Sequence, residues 1–149
     1  MPNERSAAGR CMNQLIDLAG RECGLLTRRQ LLESGLSRHF IDGRIKCGLL
    51  RCIHRGVYQF GPISVRRAPE RAALLACPGG VISHRSAAAL WQVLPDDGVH
   101  PVDVTLSALP YRGVRPGIRI HRTALAHDEI TTVDGVAATT AARTLFDIA

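Results

Sequence analysis

The chain has 149 residues, 46% of them hydrophobic and 21% charged, and a formal net charge of +6. That length holds one ordinary domain or two small ones, and that balance excludes a disordered chain. No run approaches a membrane span and the opening MPNERSAAGR is polar rather than a signal peptide, so the sequence reads as a cytoplasmic protein.

Residues 1–12 read as a flexible tail. Leu15, Ile16 and Ala19, with Leu18 beside them, have helical spacing and predict a helix over residues 12–22, ended by Gly24. Thr27 is a good N-cap, and Gln30 three residues on completes a capping box. Leu31 and Leu32 give this short helix its apolar side, and Ser34-Gly35 stops it. Leu36 is the expected apolar plug, and Ser37 caps a second helix over residues 38–47. Ile41 and Ile45 share one side of that helix with Phe40 at the edge, while Arg38, His39, Asp42, Gly43 and Lys46 take the other. After Gly48, two β-rich runs at 50–54 and 57–60 flank Arg55-Gly56, a hairpin signal. Two helices on a tight turn, followed at once by a hairpin, predict a winged helix-turn-helix over residues 13–62, braced by the first helix.

Gly61-Pro62 closes the wing, and residues 63–67 form a linker with Arg66-Arg67 near phosphate or solvated. A helix over 68–77 breaks at Pro78-Gly79-Gly80. Val81-Ile82 is extended, and Ser83 or Ser86 then caps a helix to about Leu94 whose apolar side is Leu90, Trp91 and Leu94. Residues 102–106 and 118–121 alternate as half-buried strands and are natural antiparallel partners across a Pro/Gly/Arg loop over 111–117. Residues 130–137 form a hairpin on Asp134-Gly135, and Thr139 or Thr140 caps a last helix with Leu145, Phe146 and Ile148. The fold class expected is therefore α+β: the winged helix, then a small α/β domain over 68–149 with short antiparallel strands. That last helix has no stop signal, which predicts a truncated domain with further residues after 149.

The charge is unevenly placed. Residues 1–67 carry 12 Lys and Arg against 5 Asp and Glu, whereas residues 68–149 carry 7 against 8. A basic surface on a helix-turn-helix is the electrostatic footprint of a nucleic-acid binder. The candidate DNA contacts are Arg28 and Arg29 at the start of the first motif helix, Ser37, Arg38, His39, Asp42 and Lys46 on the second, and Arg55 at the wing tip. The N-terminal residues of a recognition helix lie nearest the base edges, so Arg38 is placed to read guanine and Lys46 to meet phosphate. Asp42 repels phosphate unless it reads a cytosine amino group or holds Arg38 four residues back.

The 5 cysteines are odd in number, with no Cys-x-x-Cys, and the Cys47–Cys52 spacing has no second pair to complete a zinc site. Reduced, mostly buried thiols are expected, with no metal and no cofactor. Lys46 is the single lysine, so the carboxylate–lysine sets of metal-dependent nucleases have no counterpart. Ser83-His84 lacks the Gly-x-Ser-x-Gly elbow of a hydrolase, and helix capping accounts for the serines. The chain is read as no enzyme.

Gly24-Leu25-Leu26-Thr27, Gly35-Leu36-Ser37-Arg38 and His54-Arg55-Gly56-Val57-Tyr58 together resemble the N-terminal winged-helix domain of AbiEi-type antitoxins from abortive-infection toxin–antitoxin systems. The resemblance continues through Ser83-His84-Arg85-Ser86-Ala87-Ala88, His121-Arg122-Thr123, Val133-Asp134-Gly135 and Thr140-Ala141-Ala142-Arg143-Thr144-Leu145. It implies an antitoxin-like regulator that binds double-stranded DNA, represses its own operon and neutralises a nucleotidyltransferase toxin through the second domain. Larger proteins of this kind often continue into a domain like very-short-patch repair nucleases, and this chain ends before it. The reading from another class is a non-catalytic protein-interaction module or the remnant of a longer nuclease-fusion protein.

Overall fold

The computed structural model describes residues 4–61, 66–107 and 115–149. Residues 1–3 of the expected tail, Pro62, linker residues 63–65 and loop residues 111–114 lie outside that description. The fold is α+β, with two sheets in two compact units, Met1–Ala68 and Pro69–Ala149.

The first unit opens with α1, Glu4–Arg21. The helix starts ahead of Met12, so the described part of the stretch expected to be a tail is helical. Ala7 and Ala8 favour helix, and Arg10 donates back one turn to Ser6 Oγ at 2.8 Å. Leu15 and Ala19 enter the core with Cys11 packed beside them, a stripe of residues four apart. Ile16 lies off that stripe and is 48% exposed. After α1 the chain extends as β1, Leu25–Thr27, then forms α2, Arg28–Glu33, and α3, Arg38–Lys46. The capping box holds: Thr27 Oγ1 accepts from Gln30 N at 3.1 Å, and Gln30 Oε1 accepts from Thr27 N at 2.8 Å. Gly35 turns the chain with φ +92°, a conformation that a Cβ would strain. Leu36 is buried behind it, and Ser37 Oγ accepts from Phe40 N at 3.1 Å to cap α3.

β2, Leu50–His54, and β3, Val57–Phe60, form the expected hairpin, with a register shift between Cys52 and His54. β1 also pairs with β3, Leu25 opposite Gln59 and Thr27 opposite Val57, so the antiparallel sheet runs β1-β3-β2. Leu15, Leu26, Leu31, Leu36, Ile41, Leu50 and Tyr58 join the helices to this sheet in one core. Each large apolar side chain buried there stabilises the unit by about 1.5–3 kcal/mol relative to exposure.

The second unit has α4 (Ala68–Ala76), β4 (Val81–Ile82), α5 (His84–Leu90), β5 (Val102–Leu106) and β6 (Ile118–Arg122). A 3-10 turn at His127–Glu129, which the sequence did not suggest, leads into β7 (Ile130–Val133), β8 (Val136–Thr139) and α6 (Ala141–Ile148). The sheet order is β6-β5-β4-β8-β7. β7 and β8 form the expected hairpin, Asp134 and Gly135 both having positive φ as a type I′ turn requires. β5 and β6, expected antiparallel, are parallel, with Val102 opposite Ile118 and Leu106 opposite Arg122. Alternation of apolar residues is the same in either direction, so it does not encode strand polarity. The stretch between them approaches the dozen or so residues of a parallel return. β4 is also parallel to β8, so the sheet is mixed.

α5 ends sooner than expected. Gln92 turns left-handed with φ 59°, and Val93 N donates back to Ala88 O at 2.8 Å, so residues 91–94 close the helix instead of extending it. Trp91 Nε1 donates to the Thr139 carbonyl at 2.9 Å. The unit's core is built largely of small residues, among them Ala72, Ala73, Ala76, Ala87, Ala88 and Ala138, with Ile82, Val104 and Val136. Thr140 caps α6, accepting from Arg143 N at 3.4 Å. That helix buries Thr144 and leaves Leu145 and Phe146 exposed.

Candidate functional site

α3 divides as the sequence indicates. Ile41 is fully buried and Ile45 packs against the core, while Arg38, His39, Asp42 and Lys46 are exposed. Arg38, His39 and Lys46 make no hydrogen bond or ion pair with described residues, so their donors are open to a ligand. Ser37 is exposed too, but its oxygen is occupied in capping.

The remaining candidates are engaged. Arg28 Nη2 contacts Asp42 Oδ1 at 2.8 Å and Arg28 Nη1 reaches Tyr58 Oη at 3.5 Å. These two partners, Tyr58 first, raise the Arg28 pKa above its ordinary value. The helical spacing offered Arg38 as the partner of Asp42; the fold supplies Arg28 from the start of α2. The carboxylate on α3 is thereby matched to a cation on another helix. Arg29 points outward and pairs with Glu33 at 2.7 Å, a partner four residues on that raises its pKa. Exposed pairs of this kind contribute little to stability, because water and salt screen them. Arg55 is exposed between β2 and β3.

Arg44 was not among the sequence candidates. Its guanidinium lies 5.1 Å from the centre of the Phe40 ring, and its Nε is buried without a partner among the described residues. The signal was present in the sequence as an aromatic and an arginine four residues apart on one helix. With Lys46 it also places positive charge in the last turn of α3, where the helix dipole favours it.

A second polar cluster lies in the other unit, where the serines were expected only to cap. Ser83 holds the N-cap position of α5 but makes no side-chain cap bond. Its buried Oγ accepts instead from Thr105 Oγ1 at 2.7 Å and lies 3.0 Å from His84 Nδ1. Ser86 Oγ accepts from Asp103 N at 2.8 Å. The capping interpretation of both serines is thus corrected: β5 draws their hydroxyls sideways, away from the helix end. The His84 ring stacks on His121 with centroids 3.6 Å apart and planes 12° from parallel. His121 Nε2 donates to Asp103 Oδ1 at 2.8 Å, and Arg119 Nη1 lies 3.7 Å from the same oxygen. Burial first, and then the neighbouring His121, lower the His84 pKa. A serine, two histidines and an aspartate meet here, yet the arrangement is not that of a serine hydrolase. Ser83 is 0% exposed, and the two rings stack face to face rather than passing a proton through a hydrogen bond.

The thiols differ from expectation as well. Cys77 is buried, Cys11 is half-buried, and Cys23, Cys47 and Cys52 are exposed. Cys47 stands at the C-cap of α3 and Cys52 in β2, two residues after the buried Leu50. Burial raises the Cys77 pKa, which keeps that thiol protonated and inert. Among the described residues no group of three or more His, Cys, Asp or Glu side chains is placed to hold a metal ion. No described helix is long and apolar enough to cross a membrane. No protein-family model matches the chain, and no curated protein matches it.

Proposed function

We propose that the chain is a DNA-binding regulator whose first unit is a winged helix-turn-helix, with α3 as the recognition helix. The element order α1-β1-α2-α3-β2-β3 and the sheet order β1-β3-β2 support that reading. The observation that carries it is the charge state of α3. Arg38, His39 and Lys46 stand exposed without partners among the described residues, while Asp42, the only carboxylate on that helix, is already paired with Arg28. A helix so prepared meets a polyanion with its one carboxylate offset by a cation. Arg38 in the first turn is placed to pair with guanine O6 and N7, and Lys46 and Arg55 to meet phosphate. The regulator is antitoxin-like, repressing its own operon and acting on a nucleotidyltransferase toxin, as the resemblance implies.

The test is titration of labelled duplex DNA from the chain's own promoter at two salt concentrations. Affinity should fall steeply with salt, because each neutralised phosphate releases counterions. Binding indifferent to salt, or none at low salt, sinks the proposal. One feature favours the second reading, a protein-interaction module: Leu145 and Phe146 on α6 are 51% and 76% exposed.

A further inference from the structure

We propose that His84 and His121 form a protonation switch in the second unit: the stacked pair accepts one proton, and a second drives α5 away from β6. The inference stands apart from the DNA-binding reading, since it concerns a cluster in the other unit.

The geometry sets the limit at one. Aromatic rings with centroids 3.6 Å apart and nearly parallel planes pack well when at least one is neutral. Two imidazolium charges at that separation repel strongly unless each has a counter-charge. His121 has one, because Asp103 is 1% exposed and accepts from its Nε2 at 2.8 Å. The other charged groups near His84 are already balanced. On α6, Asp147 is held by Arg143 at 2.8 Å, and Arg143 also binds Glu129 at 3.0 Å. On β6, Arg119 adds a positive charge 3.7 Å from the Asp103 oxygen. Among the described residues no carboxylate is hydrogen-bonded to His84: Asp103, whose Oδ2 has no partner there, is held through Oδ1 by His121 and faced by Arg119.

The hydrogen bonds reinforce this. Thr105 donates to Ser83, so the Ser83 hydroxyl is free to donate to His84 Nδ1. That chain requires Nδ1 to be unprotonated. Adding a proton at Nδ1 would leave the Ser83 hydrogen without an acceptor in a site that is 0% exposed. The backbone is also strained. His84 is not glycine, yet it sits in the left-handed region with φ 49°, a conformation that persists only while its surroundings hold it. Separating the rings would release it.

The direction of the effect follows. Burial and His121 lower the pKa of His84 in the folded chain, while the unfolded chain takes that proton near 6.5. The unfolded state then binds more protons as pH falls below about 6.5, so stability is full above that value and declines toward the folded pKa.

The experiment is urea unfolding of the full chain followed by the fluorescence of Trp91, the single tryptophan, which lies in this unit at the end of α5. Wild type, His84→Gln and His39→Gln are compared at pH 7.5 and 5.0. The glutamine amide can still accept from Ser83 but does not titrate. The folding constant of wild type and His39→Gln should fall by up to about tenfold per pH unit below 6.5, and His84→Gln should lose most of that dependence. An unchanged pH dependence in His84→Gln overturns the switch. Should that variant not fold, histidine-ring NMR of the wild type decides. The His84 ring should titrate below its ordinary value near 6.5, with the Trp91 indole signal changing in the same step. His84 titrating at or above that value, with Trp91 unaffected, also overturns it.

Discussion

Arg28 and Asp42 meet at 2.8 Å although they belong to different helices and lie fourteen residues apart in the chain. The contact offsets the one negative charge on the outer face of α3 and places Arg28 beside that face. Both groups keep substantial access to water, with side chains 33% and 51% exposed, so the pair is adjustable rather than rigid.

Asp42→Asn should therefore change stability by no more than about 1 kcal/mol. It should tighten binding to any DNA, because Arg28 is released toward phosphate and a negative charge is lost. Urea unfolding and fluorescence anisotropy check the two effects. Tighter binding to random DNA together with weaker binding to the specific site would mean that Asp42 reads a base.

Arg38→Ala should cost about 1–3 kcal/mol on the specific site and flatten the preference among sequences. Lys46→Ala should weaken all sequences alike and reduce the salt slope by about one. Equal losses on specific and random DNA from Arg38→Ala would make Arg38 a backbone contact.

Thr27→Ala removes the acceptor of Gln30 N and leaves an amide of the first turn of α2 unpaired. A loss of about 1 kcal/mol in the stability of the first unit is expected. Circular dichroism during urea unfolding measures it, and Thr27→Ser should recover most of the loss.

Gly80→Ala should destabilise the second unit by about 1–3 kcal/mol through overpacking. A Cβ at this position would stand 2.5 Å from Val104 Cγ1 and 2.8 Å from the Cys77 carbonyl oxygen. Gly43→Ala, where no atom lies within 4 Å and the residue is helical, should instead be neutral or slightly stabilising. Tryptophan fluorescence for the first variant and circular dichroism for the second give the comparison.

Much of the first unit was legible in the sequence because its signals are local. A cap and its partner three residues on, a glycine after a helix, and a two-residue link between β-rich runs each act within a single turn. Thr27 with Gln30, Ser37 with Phe40, and Arg55-Gly56 carry that information wherever the rest of the chain lies. The pairing of β1 with β3 was not legible, since a three-residue strand has too few residues to show a period.

By itself, the sequence determined the caps of α2 and α3, the hairpin turns, the exposed cationic face of α3 and the bias of positive charge toward residues 1–67. Only the tertiary structure decided which residues separated along the chain would meet. It turned β5 and β6 parallel, gave Asp42 to Arg28 rather than Arg38, and drew the Ser83 and Ser86 hydroxyls from helix capping to β5. It also brought His84 against His121 and Asp103. The physical reason is range: a hydrogen bond or ion pair depends on distances of about 3–4 Å, and periodicity reports such distances only between neighbours on one element.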